Sequence, residues 1–101
     1  MGYYVVHALD RTNMAEARAA NRSEHRKRLR EHEYPLTVQI GGPMLDRDGY
    51  MCGTMLVIEA ENQPVVEAYL ADDPYAKAGV YASVTIHPYL WGLGQPEEHD
   101  G

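Results

Sequence analysis

The stretch LTVQIGGPMLDRDGYMCGTMLVIEA, residues 36–60, decides the fold because it predicts two strands in succession with no helix between them. Leu36 to Pro43 alternates apolar and polar residues and then meets a Gly-Gly-Pro break, a pattern typical of a strand. Gly53 to Ala60 is rich in residues that favour β-structure, Val57 and Ile58 among them, and predicts the next strand. The intervening MLDRDGY is typical of a turn.

The N-terminal side of this strand pair predicts a strand followed by a long helix. Tyr3 to Leu9 is β-branched and aromatic, which favours a strand. Met14 to about His32 contains no Gly or Pro and is dominated by Ala, Glu, Arg and Lys, which favour a helix. Thr12 or Asn13 is placed to cap the start of this helix, and Pro35 follows its end.

The C-terminal side predicts a second helix and a fourth strand. The helix runs from about Gln63 to Ala71 and is closed by the sequence DDPY, because a residue before proline avoids the α region. Val80 to Leu90 has the composition of a strand. Residues 91–101 are Gly-rich and acidic and predict a flexible tail.

The resulting order, β-α-β-β-α-β, predicts a ferredoxin-like α+β fold. In that arrangement a four-stranded antiparallel sheet carries both helices on one face. At 101 residues the chain is one domain over residues 1–101, with its core at about residues 3–90.

The composition narrows the classes of partner. A net charge of −6 argues against nucleic acid and anionic lipid, which require concentrated basic surface. No apolar run approaches the roughly 20 residues that span a bilayer, and the N-terminus does not resemble a signal peptide. The single Cys52 cannot form an internal disulfide, as is usual in a reducing compartment. We therefore expect a cytoplasmic protein that binds neither nucleic acid nor membrane.

The strand patterns leave neither face of the sheet cleanly polar. In the fourth strand one alternating set is Val80, Ala82, Val84 and Ile86, and the other is Tyr81, Ser83, Thr85 and His87. The helices can cover only one face, and soluble monomers seldom expose a large apolar patch. We therefore predict a homodimer packed sheet to sheet.

The first helix raises the question of what faces the sheet, because NRSEHRKRLREHE, residues 21–33, has Leu29 as its only large apolar residue. Steps of three and four residues back from Leu29 reach His25, Arg22 and Arg18. One interpretation is that Ala19, Ala20 and Leu29 pack while the arginines extend to solvent. The other is a cavity between helix and sheet, lined by Arg and His, that holds a polar or anionic small molecule.

A histidine that moves protons works better beside a carboxylate that orients its ring. Asp72 and Asp73 lie at the end of the second helix, where they also fit an ordinary helix stop. A nucleophilic Cys52 and a metal shared by His25 and His32 are weaker alternatives, since metal ligands at recognisable spacing are absent. No nucleotide or haem motif is present, so we expect no cofactor and no metal.

Several of these segments together resemble the YCII-related domain family: RAANRSEH followed by RL, then GGP, CGT, and DDPYAKAGVY followed by VTIHPY. The resemblance extends over roughly residues 3–90. It implies a ferredoxin-like fold that usually dimerises through its sheet as a dimeric α-β barrel. One described chemistry in the family is removal of chloride from a chlorinated hydroxyhydroquinone, and the fold is akin to that of muconolactone isomerases.

The resemblance also implies roles for individual residues. It places a catalytic His-Asp pair at His25 and Asp73, and ligand contacts at Arg18, Arg22 and Thr54. Tyr75, next to the motif's proline, is a further candidate for ligand binding. The chain departs from the commoner pattern at Arg26, where an apolar residue is usual, in the sequence IHPY, and in a short loop after GGP. These departures concern the pocket's polarity and lid.

Three functions remain open from the sequence. The first is a cofactor-independent lyase or isomerase acting on a small hydroxylated aromatic or lactone. The second is a non-catalytic ligand-binding or accessory protein with the same cleft. The third is a cofactor-free monooxygenase of the related barrel type.

Overall fold

The computed structural model of the protein describes residues 1–96. Its elements are β1 (Gly2–Asp10), α1 (Ala15–Arg30), β2 (Leu36–Leu45), β3 (Met51–Ala60), α2 (Gln63–Ala71), α3 (Pro74–Lys77) and β4 (Tyr81–Tyr89). The predicted element order is confirmed, with the one-turn helix α3 as an addition between α2 and β4. The sequence DDPY therefore both ends α2 and begins α3.

The four strands form one antiparallel sheet in the order β2-β3-β1-β4. This confirms the predicted ferredoxin-like α+β architecture. The core lies between the sheet and the helices and is built mainly from alternate residues of β1 and β3 and one face of α2. Its fully buried members include Val6, Leu56, Ile58, Val66 and Tyr69.

The hairpin between β2 and β3 is tighter than the sequence predicts. Both strands continue past the predicted bounds, to Leu45 and from Met51, because Asp46 closes the turn. Its Oδ1 accepts hydrogen bonds from the backbone N–H groups of Asp48 and Tyr50 at 2.9 and 3.0 Å. A side chain that bonds its own turn in this way stabilises a short connection.

Helix α1 is unusual because its two buried residues are Arg18 and His25. Leu29 is partly buried against the core, whereas Ala19 and Ala20 are exposed. The interpretation that these alanines pack while the arginines extend to solvent is therefore wrong for Arg18. A polar stripe of the helix, not an alanine stripe, faces the sheet.

The predicted cap of α1 is also wrong. The N-cap is Met14, with no side-chain hydrogen bond, and Asn13 has a φ of 62°. The left-handed conformation of Asn13 turns the chain before the helix begins, so neither Asn13 nor Thr12 is at the capping position. Asn tolerates that conformation better than most residues.

A register shift next to Asp10 changes which way Tyr81 points. Leu9 pairs with Ser83, but Asp10 pairs with Tyr81, so Ala82 is skipped. The extra residue is a β-bulge, which reverses the alternation of side chains beyond it. The prediction that Tyr81 shares a face with Ser83 and Thr85 is therefore wrong, and its hydroxyl lies on the helix side of the sheet.

The other face of the sheet carries no helix. Val5, Leu9, Ile40 and Tyr89 lie on it, and three of them are more than a third exposed: Leu9 42%, Ile40 46% and Tyr89 37%. Trp91 packs against Tyr3 and Tyr89 at one end, with ring centroids 5.8 and 5.2 Å away. Of the predicted flexible tail, residues 97–101 lie outside the described residues. Within residues 1–96 no helix is long and apolar enough to cross a membrane.

Candidate functional site

A cavity of about 290 Å³ lies between α1 and the strands β2 and β3. Arg18, Arg22 and His25 line its helix wall, and Thr54 and the Gly-Gly-Pro segment of β2 line its sheet wall. At Gly41 an added Cβ would come within 2.6 Å of Leu56 Cδ2, so a side chain there would disturb the sheet wall. The cavity is at the lower end of the sizes that hold small molecules.

His25 and Asp73 form a buried pair at one end of this cavity. The ring Nδ1 lies 3.0 Å from both Asp73 carboxylate oxygens, and the two residues are 6% and 2% exposed. Asp73 is held by its position before proline, with an extended backbone at φ −63° and ψ 133°. Its Oδ1 also accepts from the backbone N–H of Tyr75 at 2.8 Å, which caps α3.

The second ring nitrogen of His25, Nε2, is the one without a hydrogen-bond partner in residues 1–96. Tyr75 stacks on the imidazole, with centroids 4.0 Å apart and planes 14° from parallel, so the ring cannot rotate freely. Because a carboxylate only accepts hydrogen bonds, Nδ1 carries the proton and Nε2 has the lone pair in the neutral ring. Nε2 makes no hydrogen bond to any residue in 1–96 and is not sealed from solvent. The pair thus presents one basic nitrogen at the cavity.

Arg18 forms a second buried pair, with Asp10 at the end of β1. Its Nε and Nη2 donate to the two carboxylate oxygens at 2.6 and 3.0 Å, and Nη2 also donates to Thr54 Oγ1 at 3.0 Å. Burial lowers the pKa of Arg18, but the hydrogen bond and charge of Asp10 more than offset this, so the pKa is raised. Arg18 is therefore a permanent cation on the cavity wall.

Thr54 links Arg18 to Tyr81. The Tyr81 hydroxyl donates to Thr54 Oγ1 at 3.0 Å. Burial raises the pKa of Tyr81 well above its ordinary value, with the charges of Asp73 and Asp10 adding to the effect, so the phenol stays protonated. Thr54 thus accepts from both neighbours, and its own O–H is left to donate to a molecule in the cavity.

Three further arginines line the cavity toward its mouth: Arg22, Arg26 and Arg30. Arg22 Nε is buried and has no hydrogen-bond partner. The side chains of all three form no ion pair or hydrogen bond with another residue of the described chain. Arg26 and Arg30 were not among the site residues predicted from the sequence.

The remaining sequence candidates lie elsewhere. Cys52 is partly buried and lines a different depression beside Asp10 and Met14. His32 packs edge-on against Tyr69, 5.1 Å between centroids, and burial lowers its pKa, with the charge of Arg28 as the second cause. Among residues 1–96 no three His, Cys, Asp or Glu side chains are grouped as metal ligands. His99 lies outside the described residues.

Asp10 and Tyr81 are two further residues beside the cavity that the sequence does not predict. Asp10 has no role in the sequence prediction, and Tyr81 is predicted on the opposite face of the sheet. An acidic residue at the end of a strand, followed by an arginine within the next helix, is a usable signal for a pair such as Asp10 and Arg18. The bulge that turns Tyr81 inward leaves no sign in the local pattern.

The fold and the cavity together define a class: a small ferredoxin-like α+β protein with a buried acid-base pair between helix and sheet. The model of the YCII-related domain matches residues 2–90, and this chain belongs to that family. An uncharacterized protein of Haemophilus influenzae is 32% identical over 93 residues, covering 86% of this chain and 95% of that protein. Protein YciI of Escherichia coli O6:H1 is 29% identical over 92 residues, covering 85% and 94%.

A solved structure with a similar fold is 5-chloro-2-hydroxyhydroquinone dehydrochlorinase (TftG) from Burkholderia phenoliruptrix in complex with 2,5-dihydroxybenzoquinone. Its TM-score to this chain is 0.76 at 27% sequence identity, covering 89% of this chain and 95% of the other. That protein is therefore similar in fold over nearly the whole domain, and it holds a small hydroxylated ring.

Proposed function

We propose that the protein is a cofactor-independent acid-base enzyme, a lyase or isomerase that acts on a small hydroxylated aromatic or lactone. The observation that carries the proposal is the buried His25–Asp73 pair, in which His25 lines the cavity and its Nε2 has no partner in residues 1–96. We also propose that the protein is cytoplasmic, because a single free cysteine is usual in a reducing compartment.

His25 acts as the general base and then as the general acid. Nε2 removes a proton from a substrate hydroxyl or ring carbon, and the imidazolium returns a proton to another atom of the same ring. Asp73 accepts from Nδ1 in both states, which fixes the tautomer and stabilises the charged ring. Tyr75 holds the imidazole plane by stacking, so the nitrogen stays aimed at the substrate.

Arg18 and Thr54 stabilise the oxygen that becomes negative. Removing a proton from a hydroxylated ring leaves a phenolate or enolate, which requires donors already in place. Arg18 lines the cavity as a fixed cation, and Thr54 lines the same cavity with its O–H free to donate. Both are held by Asp10 and Tyr81, so they need little rearrangement when charge develops.

The substrate class is supported by the TftG structure, whose ligand is a dihydroxybenzoquinone. The cavity of about 290 Å³ accommodates one ring of that kind. Dehydrochlorination and isomerisation can begin with the same step, in which a base takes a proton from a hydroxyl and returns it to a ring carbon. In dehydrochlorination the C–Cl bond of that tautomer then breaks, chloride leaves with the bonding electrons, and a second proton is released to give the quinone.

The test is chloride release from 5-chloro-2-hydroxyhydroquinone by the wild type and by His25→Ala and Asp73→Asn. Each substitution should lower kcat by about 10²- to 10⁴-fold while the affinity for 2,5-dihydroxybenzoquinone changes only a few-fold. Asp73→Asn keeps an acceptor for the Tyr75 N–H, so loss of rate would reflect the wrong imidazole tautomer rather than unfolding.

Matched controls are available for both substitutions. Asp72→Asn changes the exposed neighbour of Asp73, and His32→Gln changes a histidine outside the cavity. Both should keep wild-type turnover. Ligand binding without turnover of any probe would instead support the binding-protein alternative, and oxygen consumption with a phenolic probe would support the monooxygenase.

We also propose that the protein is a homodimer that buries the helix-free face of its sheet. Val5, Leu9 and Ile40 form an apolar surface there that no part of residues 1–96 covers. Light scattering should give twice the chain mass of 11.4 kDa. Leu9→Lys should shift the mass to that of the monomer, whereas Leu90→Lys, outside the strands, should not.

A further inference from the structure

We propose that Arg22, Arg26 and Arg30 form an anion subsite at the mouth of the cavity, so that the substrate carries a carboxylate in addition to its reacting ring. This inference rests on the proposed function, because it specifies the ligand of the same cavity. It concerns charge recognition and not the proton transfer.

The charges around the cavity are unbalanced. Four guanidinium groups line it, those of Arg18, Arg22, Arg26 and Arg30, and no carboxylate does. Arg18 is neutralised by Asp10, and His25 has Asp73. The other three arginines have no ion pair within residues 1–96, in a chain whose net charge is −6.

Two other cationic side chains of α1 differ from these arginines because they have partners. Lys27 pairs with Glu31, four residues further on, on the side away from the cavity. Arg28 donates to the backbone oxygen of Tyr69 at 2.7 Å and packs over that ring. On α1, the two cationic side chains outside the cavity, Lys27 and Arg28, therefore each have a partner, whereas the three lining its mouth do not.

Arg22 carries the sharpest sign of a missing partner. Its Nε is buried without a hydrogen bond, although buried donors in folded proteins are nearly always paired. Arg28 Nη1 is also buried and unpaired, but the guanidinium of Arg28 has a bond to Tyr69 O, whereas that of Arg22 has none in residues 1–96. A charged donor that is shielded from water and unpaired lowers the stability of the protein. A ligand oxygen at that position would remove the penalty.

The arginines form a row along α1 from the buried end of the cavity to its mouth. Arg18, Arg22, Arg26 and Arg30 are each four residues apart, so each is rotated about 40° from the last along the helix. They pass from buried Arg18 through half-buried Arg22 to exposed Arg26 and Arg30. Like charges at this spacing repel one another, and an anion between them converts the repulsion into attraction.

The rest of the lining fixes the orientation of the ligand. Leu29, Pro43 and Met51 provide the apolar surface that contacts a ring. With the ring between these residues and its reacting edge at His25, a substituent directed along α1 meets Arg22 and Arg26. A carboxylate matches the planar fork of guanidinium donors.

The test compares two probes that differ only in charge, 2,5-dihydroxybenzoate and its neutral amide 2,5-dihydroxybenzamide. Calorimetry at low salt should show the acid binding about tenfold or more tightly to the wild-type protein, a difference equivalent to about 1.4 kcal/mol. The gap should narrow as salt is raised, because partly exposed charges are screened. Equal affinities for the two probes would overturn the inference.

Variants locate the effect. Arg26→Gln and Arg22→Gln should each weaken binding of the acid three- to tenfold and of the amide less than twofold, while Arg26→Lys should stay within about twofold of wild type on the acid. Lys27→Gln removes one positive charge from the same helix outside the cavity and should change neither affinity. If Lys27→Gln weakens the acid as much as Arg26→Gln does, the preference is a general charge effect and there is no subsite.

Failure of the proposed function is distinguishable from failure of this inference. If His25→Ala leaves turnover intact but the preference for the acid depends on Arg26, the acid-base role is wrong and the subsite remains. If His25→Ala abolishes turnover and the acid has no advantage, the reverse holds.

Discussion

Two buried pairs join α1 to the rest of the molecule, and they differ in the kind of nitrogen that remains without a hydrogen bond. Asp10 accepts from Nε and Nη2 of Arg18, and Nη2 also donates to Thr54, so the group of Arg18 left without a bond in residues 1–96 is Nη1, which can only donate. His25 and Asp73 are equally buried, but one ring nitrogen has no partner in residues 1–96. Both pairs lie on the wall of one cavity, seven residues apart on the same helix.

Under the proposed function, the difference separates a pair that positions the site from a pair that reacts. Arg18 keeps its charge at every accessible pH because its pKa is raised, so the pair with Asp10 fixes geometry and supplies a constant positive field. The imidazole of His25 can bind a proton at either ring nitrogen, and because Asp73 accepts from Nδ1, Nε2 is the nitrogen left to exchange a proton with a ligand. Two similar contacts can therefore have different consequences, one for stability and one for chemistry.

Breaking the first pair should have the largest effect on stability. Asp10→Asn leaves the buried Arg18 cation without its counter-charge, which should lower the free energy of unfolding by about 3–5 kcal/mol. Urea denaturation followed by circular dichroism measures the change. Asp48→Asn, in the exposed hairpin turn, is the matched control and should cost less than about 0.5 kcal/mol.

The double variant Arg18→Met with Asp10→Asn distinguishes charge from packing. Removing both charges should recover part of the stability lost by Asp10→Asn alone, because no buried ion remains unpaired. A loss below about 1 kcal/mol for Asp10→Asn would contradict the view that this pair anchors the helix.

Breaking the second pair should cost less stability and more activity. Asp73→Asn retains an oxygen for the Tyr75 N–H and a favourable residue at the N-cap of α3, so the expected loss is about 1–2 kcal/mol in the same denaturation experiment. A loss larger than that of Asp10→Asn would mean that the His25–Asp73 contact is chiefly structural.

The sequence predicts the fold and the reactive pair better than it predicts their surroundings. Element order follows from local composition, and α2 has the predicted bounds. Leu29 is the only large apolar residue that can orient α1 toward the sheet. His25 lies four residues before Leu29, so it is on the same face of the helix. The contact with Asp73, 48 residues away, came from the family resemblance, since spacing on separate elements does not fix a distance.

Other parts depend on tertiary features that short patterns do not encode. Tyr81 faces Thr54 only because a bulge opposite Asp10 skips one residue. Arg26 and Arg30 lie at the cavity mouth because the helix stripe rotates slowly toward solvent, whereas composition alone places such residues anywhere on an exposed surface. The homodimer and the roles of the site residues stay predictions.

His32 is an imidazole with no carboxylate partner in residues 1–96, in contrast to His25. Its contribution to the free energy of unfolding should be the smallest of those compared. Burial and the charge of Arg28 lower its pKa, so folding favours the neutral ring. As pH falls from the ordinary value of about 6.5 toward the lower folded value, the unfolded chain binds the extra proton and stability decreases. Above about pH 7 the contribution vanishes.

His32→Gln should remove this component. The difference in unfolding free energy between wild type and variant should change between pH 7 and pH 5, with the wild type losing relatively more as the solution becomes acidic. Subtracting the two pH curves cancels the histidines they share. A difference curve that is flat, or that slopes the other way, would contradict the view that the folded protein favours the neutral form of the His32 ring.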